Sequence, residues 1–167
     1  MPQKSKKSLY GLQDPFVALW FEIVHPYRSE LELGNWHPSI ERFRKSRPQM
    51  MSRGYERIAR ETIRKAADLP FAVHQVGRWW DHDHEIDVVG VNADANGLLL
   101  GEAKWSTQPV GVDVLAGLQA KAPHVRWGTP GRQQAFALFS KSGFTSDLRR
   151  RAKAEGVLLF QGTRRVV

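Results

Sequence analysis

The chain contains no cysteine. That excludes a disulfide framework, a thiolate zinc site and a cysteine nucleophile, and it suits a reducing compartment. No apolar run approaches the roughly 20 residues that span a bilayer. The opening MPQKSKKSLYG is basic without the apolar stretch of a signal peptide behind it, so a soluble, cytoplasmic chain with no membrane partner is expected. There is no phosphate-cradling GxxxxGK loop, no internal repeat and no low-complexity segment.

Acidic residues are also in short supply. The 167 residues carry a formal charge of +8, and residues 41–65 hold nine Lys or Arg against three Glu, a local excess of six. A polyanion is the natural partner for that stretch, although charge alone does not separate a nucleic-acid surface from a solvated helix face. The length suits one core with an appendage.

The most informative stretch is EIDVVGVNADANGLLLGEAKW, Glu85 to Trp105. Two apolar runs flank a connection of Asn, Asp, Ala and Gly, the composition of a β-hairpin. Within them stand three charges, Asp87, Glu102 and Lys104. Residues two apart on a strand share a face, so Glu102 and Lys104 project together, and pairing across the turn can bring Asp87 beside them. Desolvating each charge costs several kcal/mol unless it is paired or holds a metal.

Around this hairpin the chain reads in order as follows. Asp14-Pro15 caps a first helix that runs to Pro26, and Pro38-Ser39 begins a short basic helix closed by Pro48. Residues 1–47 are thus expected to form an N-terminal helical attachment, and residues 48–167 the core. A helix over about 49–68 carries Glu56 near its apolar stripe, either facing the sheet or pairing with Arg57 or Arg60. A strand is expected over 71–80, helices over 112–122 and 145–155, and strands over 134–140 and 157–161. The final GTRRVV is uninformative. The order, helix then three strands then alternating helix and strand, predicts an α/β fold: a mixed sheet of about five strands flanked by helices. The run Asp81-His82-Asp83-His84 offers metal ligands, but neighbours in a turn diverge and no further ligand is spaced to complete a site, so it reads as a turn.

Two carboxylates close together repel, and a divalent cation between them removes the repulsion and the desolvation cost together. Oxygen ligands suit Mg²⁺ or Mn²⁺. Such an ion, also bound to a phosphate, stabilises the charge that develops in phosphoryl transfer, and Lys104 adds a fixed positive charge. Metal-dependent phosphodiester hydrolysis follows as the expected chemistry. A buried Asp–Lys–Glu salt bridge without catalysis is the alternative.

These residues resemble the PD-(D/E)XK nuclease superfamily, whose restriction-endonuclease-like core is a helix, three strands, a helix and a strand. The resemblance implies Asp87 and Glu102 as metal ligands and Lys104 as the catalytic lysine. It also implies Glu56 as an additional acidic residue and Gln119 as a polar residue lining the site, with Glu85 alongside. Ile86 stands where the superfamily name has Pro. A second resemblance rests on LYGLQDPFVALWFEIVHP, GRWWDHDHEIDVVGV, LLLGEAKW and LFSKSGFTSDL. These look like the C-terminal domain of archaeal and bacterial AAA-type ATPases, which implies an ATPase partner, since the chain has no Walker motif and little sequence before Leu9. It is therefore expected to be a fragment or a stand-alone relative. Nucleases of this kind often act as homodimers.

The expected function is a Mg²⁺-dependent nuclease acting on DNA. Arg42, Arg44, Lys45, Arg47, Arg53 and Arg57, with Arg149 to Lys153, would contact phosphates without sequence preference. The rival is a non-catalytic module of the same fold that binds nucleic acid or docks onto an ATPase. A third reading, a protein-interaction domain, would draw on Trp20, Trp36, Trp79, Trp80, Trp105 and Trp127, most of which are better explained as core.

Overall fold

In a computed structural model of the chain, which describes Leu12 and residues 14–167, Asp14 caps the first helix as its sequence position predicts. Its Oδ1 accepts from the main-chain N–H of Phe16 and of Val17 at 2.8 and 3.0 Å. Residues 1–11 and 13, the start of the expected attachment, lie outside the described residues. The chain divides into two compact units, the first ending at Gly54 and the second spanning Tyr55–Val167.

In the first unit α1 (Pro15–Leu19) passes through a π-helical turn (Trp20–Val24) and a 3₁₀ turn (His25–Tyr27) into α2 (Arg28–Glu32). The next helix, α3, runs His37–Lys65 with Pro48 inside it. The expected stop at Pro48 is therefore overturned. Proline removes one i→i−4 bond, but Pro48 and Arg44 are both exposed, so solvent can serve the carbonyl that loses its donor.

The second unit holds a six-stranded sheet in chain order: β1 (Gln75–Trp80), β2 (Glu85–Val91), β3 (Gly97–Lys104), β4 (Gln133–Ser140), β5 (Leu158–Gln161) and β6 (Arg164–Arg165). The first three strands pair antiparallel, β3–β4–β5 pair parallel, and β6 returns antiparallel. Helices α4 (Val112–Lys121) and α5 (Ser146–Glu155) make the crossovers. The mixed α/β fold matches the sequence expectation, with β6 added from the tail that had carried no signal. Strand β1 begins at Gln75, four residues later than expected. Phe71 instead packs under Gly97, where a Cβ would come within 2.7 Å of its ring.

The sheet buries both faces. Tyr55, Ala59 and Ile63 of α3 pack with Val88, Leu99, Ala103 and Phe139. Leu115 and Leu118 of α4 and Leu148 and Ala152 of α5 pack with Ile86, Leu98, Leu100, Leu138 and Leu159. Covered on both sides, β3 is buried at every position except Lys104, as a central strand with parallel pairing should be. The hairpin turn is held by Asn92, whose Oδ1 accepts from the N–H groups of Asn96 and Gly97 at 3.0 and 2.9 Å.

Candidate active site

Ile86 and Val88 stand two apart on β2 yet pack on opposite faces of the sheet, which a regular strand forbids. The pairing explains it. Between the pairs Gly77↔Val89 and Trp79↔Ile86, β1 advances two residues and β2 three, so β2 carries a bulge across Asp87 and Val88. On its other side, β2 pairs with β3 from Val91↔Leu98 to Val88↔Gly101 and no further. Past that point the strands separate, and the Asp87 side chain fills the gap. Its Oδ2 accepts from the main-chain N–H of Ala103 at 2.9 Å, serving a donor the ladder has left.

Three other elements bring charge to this opening. On β3, Lys104 Nζ donates to Glu102 Oε1 at 2.7 Å. From the end of α4, Lys121 Nζ donates to Glu102 Oε2 at 3.1 Å and to the main-chain oxygen of Glu85 at 2.8 Å. From α3, Arg60 donates to the main-chain oxygen of Asp87 at 2.8 Å. The Glu102 side chain is only 11% exposed, against 43% for Lys104, so the carboxylate forms the floor and Lys104 the rim.

The electrostatics follow from this crowding. Burial, and then the Glu102 and Glu56 charges, push Asp87 up to about 7 against the opposing Ala103 N–H and Lys104. Burial also raises Glu56, helped by Glu85 and Glu102 and opposed by Arg60 and Arg78. For Lys104, burial alone would lower the pKa, but the hydrogen bond to Glu102 and the Glu102, Asp87 and Glu56 charges outweigh it. Lys104 is thus a firmly charged ammonium. Burial lowers Arg60, with Glu56 and Asp87 opposing.

A divalent cation fits this donor set. An aspartate driven to about 7 by burial first and then by neighbouring carboxylates is a group whose ionised form lacks a cation, and Asp87 and Glu102 supply the hard oxygens that Mg²⁺ or Mn²⁺ prefers. Such an ion would compete with Lys121 for Glu102 Oε2.

Asp87, Glu102, Lys104 and Glu56 therefore share one electrostatic cluster. Glu85 borders it through its main-chain oxygen, while its carboxylate lies 3.6 Å from Arg78. Gln119 does not join. It donates to Glu155 Oε2 at 2.9 Å and accepts from Arg151 at 3.0 Å, both on α5. Lys121, absent from the sequence reading, takes the place expected of it. The signal was present: Lys121 lies three residues after Leu118, on the stripe that buries α4, whereas Gln119 follows Leu118 directly and turns about 100° away. Of the expected phosphate-contacting residues, Arg42, Arg44, Lys45 and Arg47 are exposed on α3 in the first unit, and Arg53 there pairs with Glu22 at 2.9 Å. Arg57 is exposed on α3 in the second unit.

Comparison with known proteins adds a family and little else. An uncharacterized protein of Methanocaldococcus jannaschii is 33% identical over 105 residues, which are 61% of this chain and 24% of that one. The chain thus spans about a quarter of that relative's length. A repair endonuclease from Pyrococcus abyssi aligns over 53% of this chain and 38% of its own, with a TM-score of 0.37 and 14% identity, a likeness too distant to bear on function. Residues 20–116, more than half of the chain, match the family DUF234, archaeal and bacterial proteins of unknown function, and this chain belongs to that family.

Proposed function

We propose that this chain is a metal-dependent nuclease domain of the PD-(D/E)XK type that hydrolyses phosphodiester bonds in DNA with Mg²⁺ or Mn²⁺. The observation that carries the reading is the convergence of Asp87, Glu102 and Lys104 where β2 and β3 part, with Asp87 pushed up to about 7 by burial and then by its carboxylate neighbours. Asp87 and Glu102 would hold the ion, which when bound neutralises phosphoryl charge and favours ionisation of water. Lys104, which keeps its proton, donates to a phosphoryl oxygen and stabilises charge that grows as the water oxygen bonds to phosphorus and the P–O ester bond breaks. Glu56, raised by burial, is the assigned acceptor for the proton leaving the water. Arg60 fixes the Asp87 main chain and so positions its carboxylate.

DNA would be held through phosphates by Arg42, Arg44, Lys45, Arg47, Arg53 and Arg57, so that affinity falls steeply with salt. In relatives longer than this chain, an AAA-type ATPase module could feed DNA to the site, and a homodimer would allow both strands to be cut. Both belong to the proposal.

One observation favours a second reading. Each Glu102 oxygen already carries an ammonium, Lys104 on one and Lys121 on the other, which is how a purely structural buried ion cluster would look. Labelled single-stranded, duplex and branched DNA incubated with Mg²⁺ or Mn²⁺ separates the two. Cutting by the wild type that is lost in both Asp87→Ala and Lys104→Ala supports the nuclease. Salt-sensitive DNA binding by folded protein with no cutting of any substrate supports the non-catalytic module.

A further inference from the structure

The β1–β2 turn, Asp81-His82-Asp83-His84, lacks a completing metal ligand in the sequence, and the fold supplies one. His124 ends the 3₁₀ turn Ala122–His124 that follows α4, and its ring stacks on His84 with centroids 4.1 Å apart and planes 26° from parallel. Asp81 is fixed beside them: its Oδ1 accepts from the N–H groups of Asp83 and His84 at 2.8 and 2.7 Å. Nδ1 of His84 lies 3.2 Å from Asp81 Oδ1 and 3.4 Å from Oδ2. One donor atom from each of Asp81, His84 and His124 lies within 4.8 Å of the others. We propose that Asp81, His84 and His124 form a Zn²⁺ site that fastens the β1–β2 turn to the end of α4.

The chemistry selects the metal. Two imidazole nitrogens and one carboxylate oxygen suit Zn²⁺, with water as a fourth ligand, and are poorly suited to Mg²⁺. Zinc bonds of about 2.0–2.2 Å place tetrahedral donors roughly 3.3 Å apart, a spacing that His84 Nδ1 and Asp81 Oδ1 already meet at 3.2 Å, and all three donors stand within 4.8 Å of one another. Imidazole lone pairs lie in the ring plane, so the two rings leave their stacked arrangement on binding. Partial exposure allows that rotation: the His84 and Asp81 side chains are 30% and 36% exposed. His82 and Asp83 pair with each other and stay outside the site. The site sits at the border of the acidic cluster, one residue before Glu85 and three after Lys121, yet shares no side chain with it.

The inference stands apart from the nuclease reading, and its test needs no activity. Chelator-stripped full-length protein is titrated with Zn²⁺ by calorimetry and with Co²⁺ by visible absorption. One equivalent of Zn²⁺ is expected, with affinity reduced at least about tenfold in His84→Ala and in His124→Ala, retained in His124→Cys and retained in Asp87→Asn. Far-UV circular dichroism checks that the exposed His124 position leaves the fold intact. Wild-type protein that takes up no Zn²⁺ at micromolar concentration overturns the proposal. So does binding that His124→Ala leaves unchanged, or binding that Asp87→Asn abolishes.

Discussion

The main-chain N–H of Ala103 donates to Asp87 Oδ2 over 2.9 Å at the residue where β2 stops pairing with β3. The backbone thus holds the carboxylate in place while burial and the neighbouring Glu102 oppose its charge. Folded Asp87, at about 7, binds its proton more tightly than the unfolded group does, with its ordinary value of 3.8. Its contribution to stability is therefore full below about pH 4 and is lost as pH rises through 7. Asparagine keeps an acceptor for Ala103 and carries no charge. Asp87→Asn is expected to raise the melting temperature by on the order of 5 °C at pH 8 and by much less at pH 5, while removing activity. Thermal melts at both pH values check this, and an equal shift at both would refute the assignment.

Lys104 is expected to act through its charge and not as a base, because its surroundings favour the protonated form. Lys104→Ala should lower the cleavage rate about 10²-fold or more while leaving DNA affinity within a few-fold. Single-turnover cleavage beside equilibrium binding separates the two. A parallel loss of binding would instead make Lys104 a phosphate contact.

Lys121 makes an opposing prediction about metal. It holds Glu102 Oε2 at 3.1 Å, the oxygen a divalent cation needs. Lys121→Met should therefore lower the Mg²⁺ concentration needed for half-maximal activity, and destabilise the metal-free protein by roughly 1–3 kcal/mol through the unpaired carboxylate. Denaturant melts in chelator and Mg²⁺ titrations read both effects. A higher Mg²⁺ requirement would show that Lys121 assists the site.

Gly101 precedes Glu102 at the last β2–β3 pair. A Cβ there would meet the Val88 Cβ at 3.0 Å and the Ala137 oxygen at 3.2 Å, both on neighbouring strands. Gly101→Ala is expected to cost about 1–3 kcal/mol by forcing the strands apart, with cleavage falling in step as Glu102 shifts. Urea denaturation measures the first, and unchanged stability would mean the sheet absorbs the methyl.

Asp87, Glu102 and Lys104 were legible because a charge inside an apolar strand stands out against its neighbours and the turn between the strands fixes roughly which residues meet. The bulge that lets Asp87 leave the ladder was not, since neither of the bulged residues, Asp87 and Val88, is a glycine or proline. Lys121 was missed for a different reason: which helical residue reaches the sheet depends on how α4 is rotated, and Leu115 and Leu118 set that rotation only once both are known to be buried. Pro48 misled because a proline's cost to a helix depends on whether its orphaned carbonyl meets water. His124 is 40 residues from His84, and only the path of α4 brings it back.

The strands lie across the sheet in the order in which they occur in the chain. Each can therefore dock onto the one made just before it, with no later strand to be threaded between, and only the α4 and α5 crossovers close long loops. Assembly outward from the β2–β3 hairpin is the least costly route in chain entropy. On that route Asp87 and Glu102 are brought together while α4 is still undocked, so the like charges meet before Lys121 arrives to quiet them. The carboxylate cluster is then a late-relieved obstacle in folding, and a cation able to bridge it should speed the appearance of native protein as well as stabilise it.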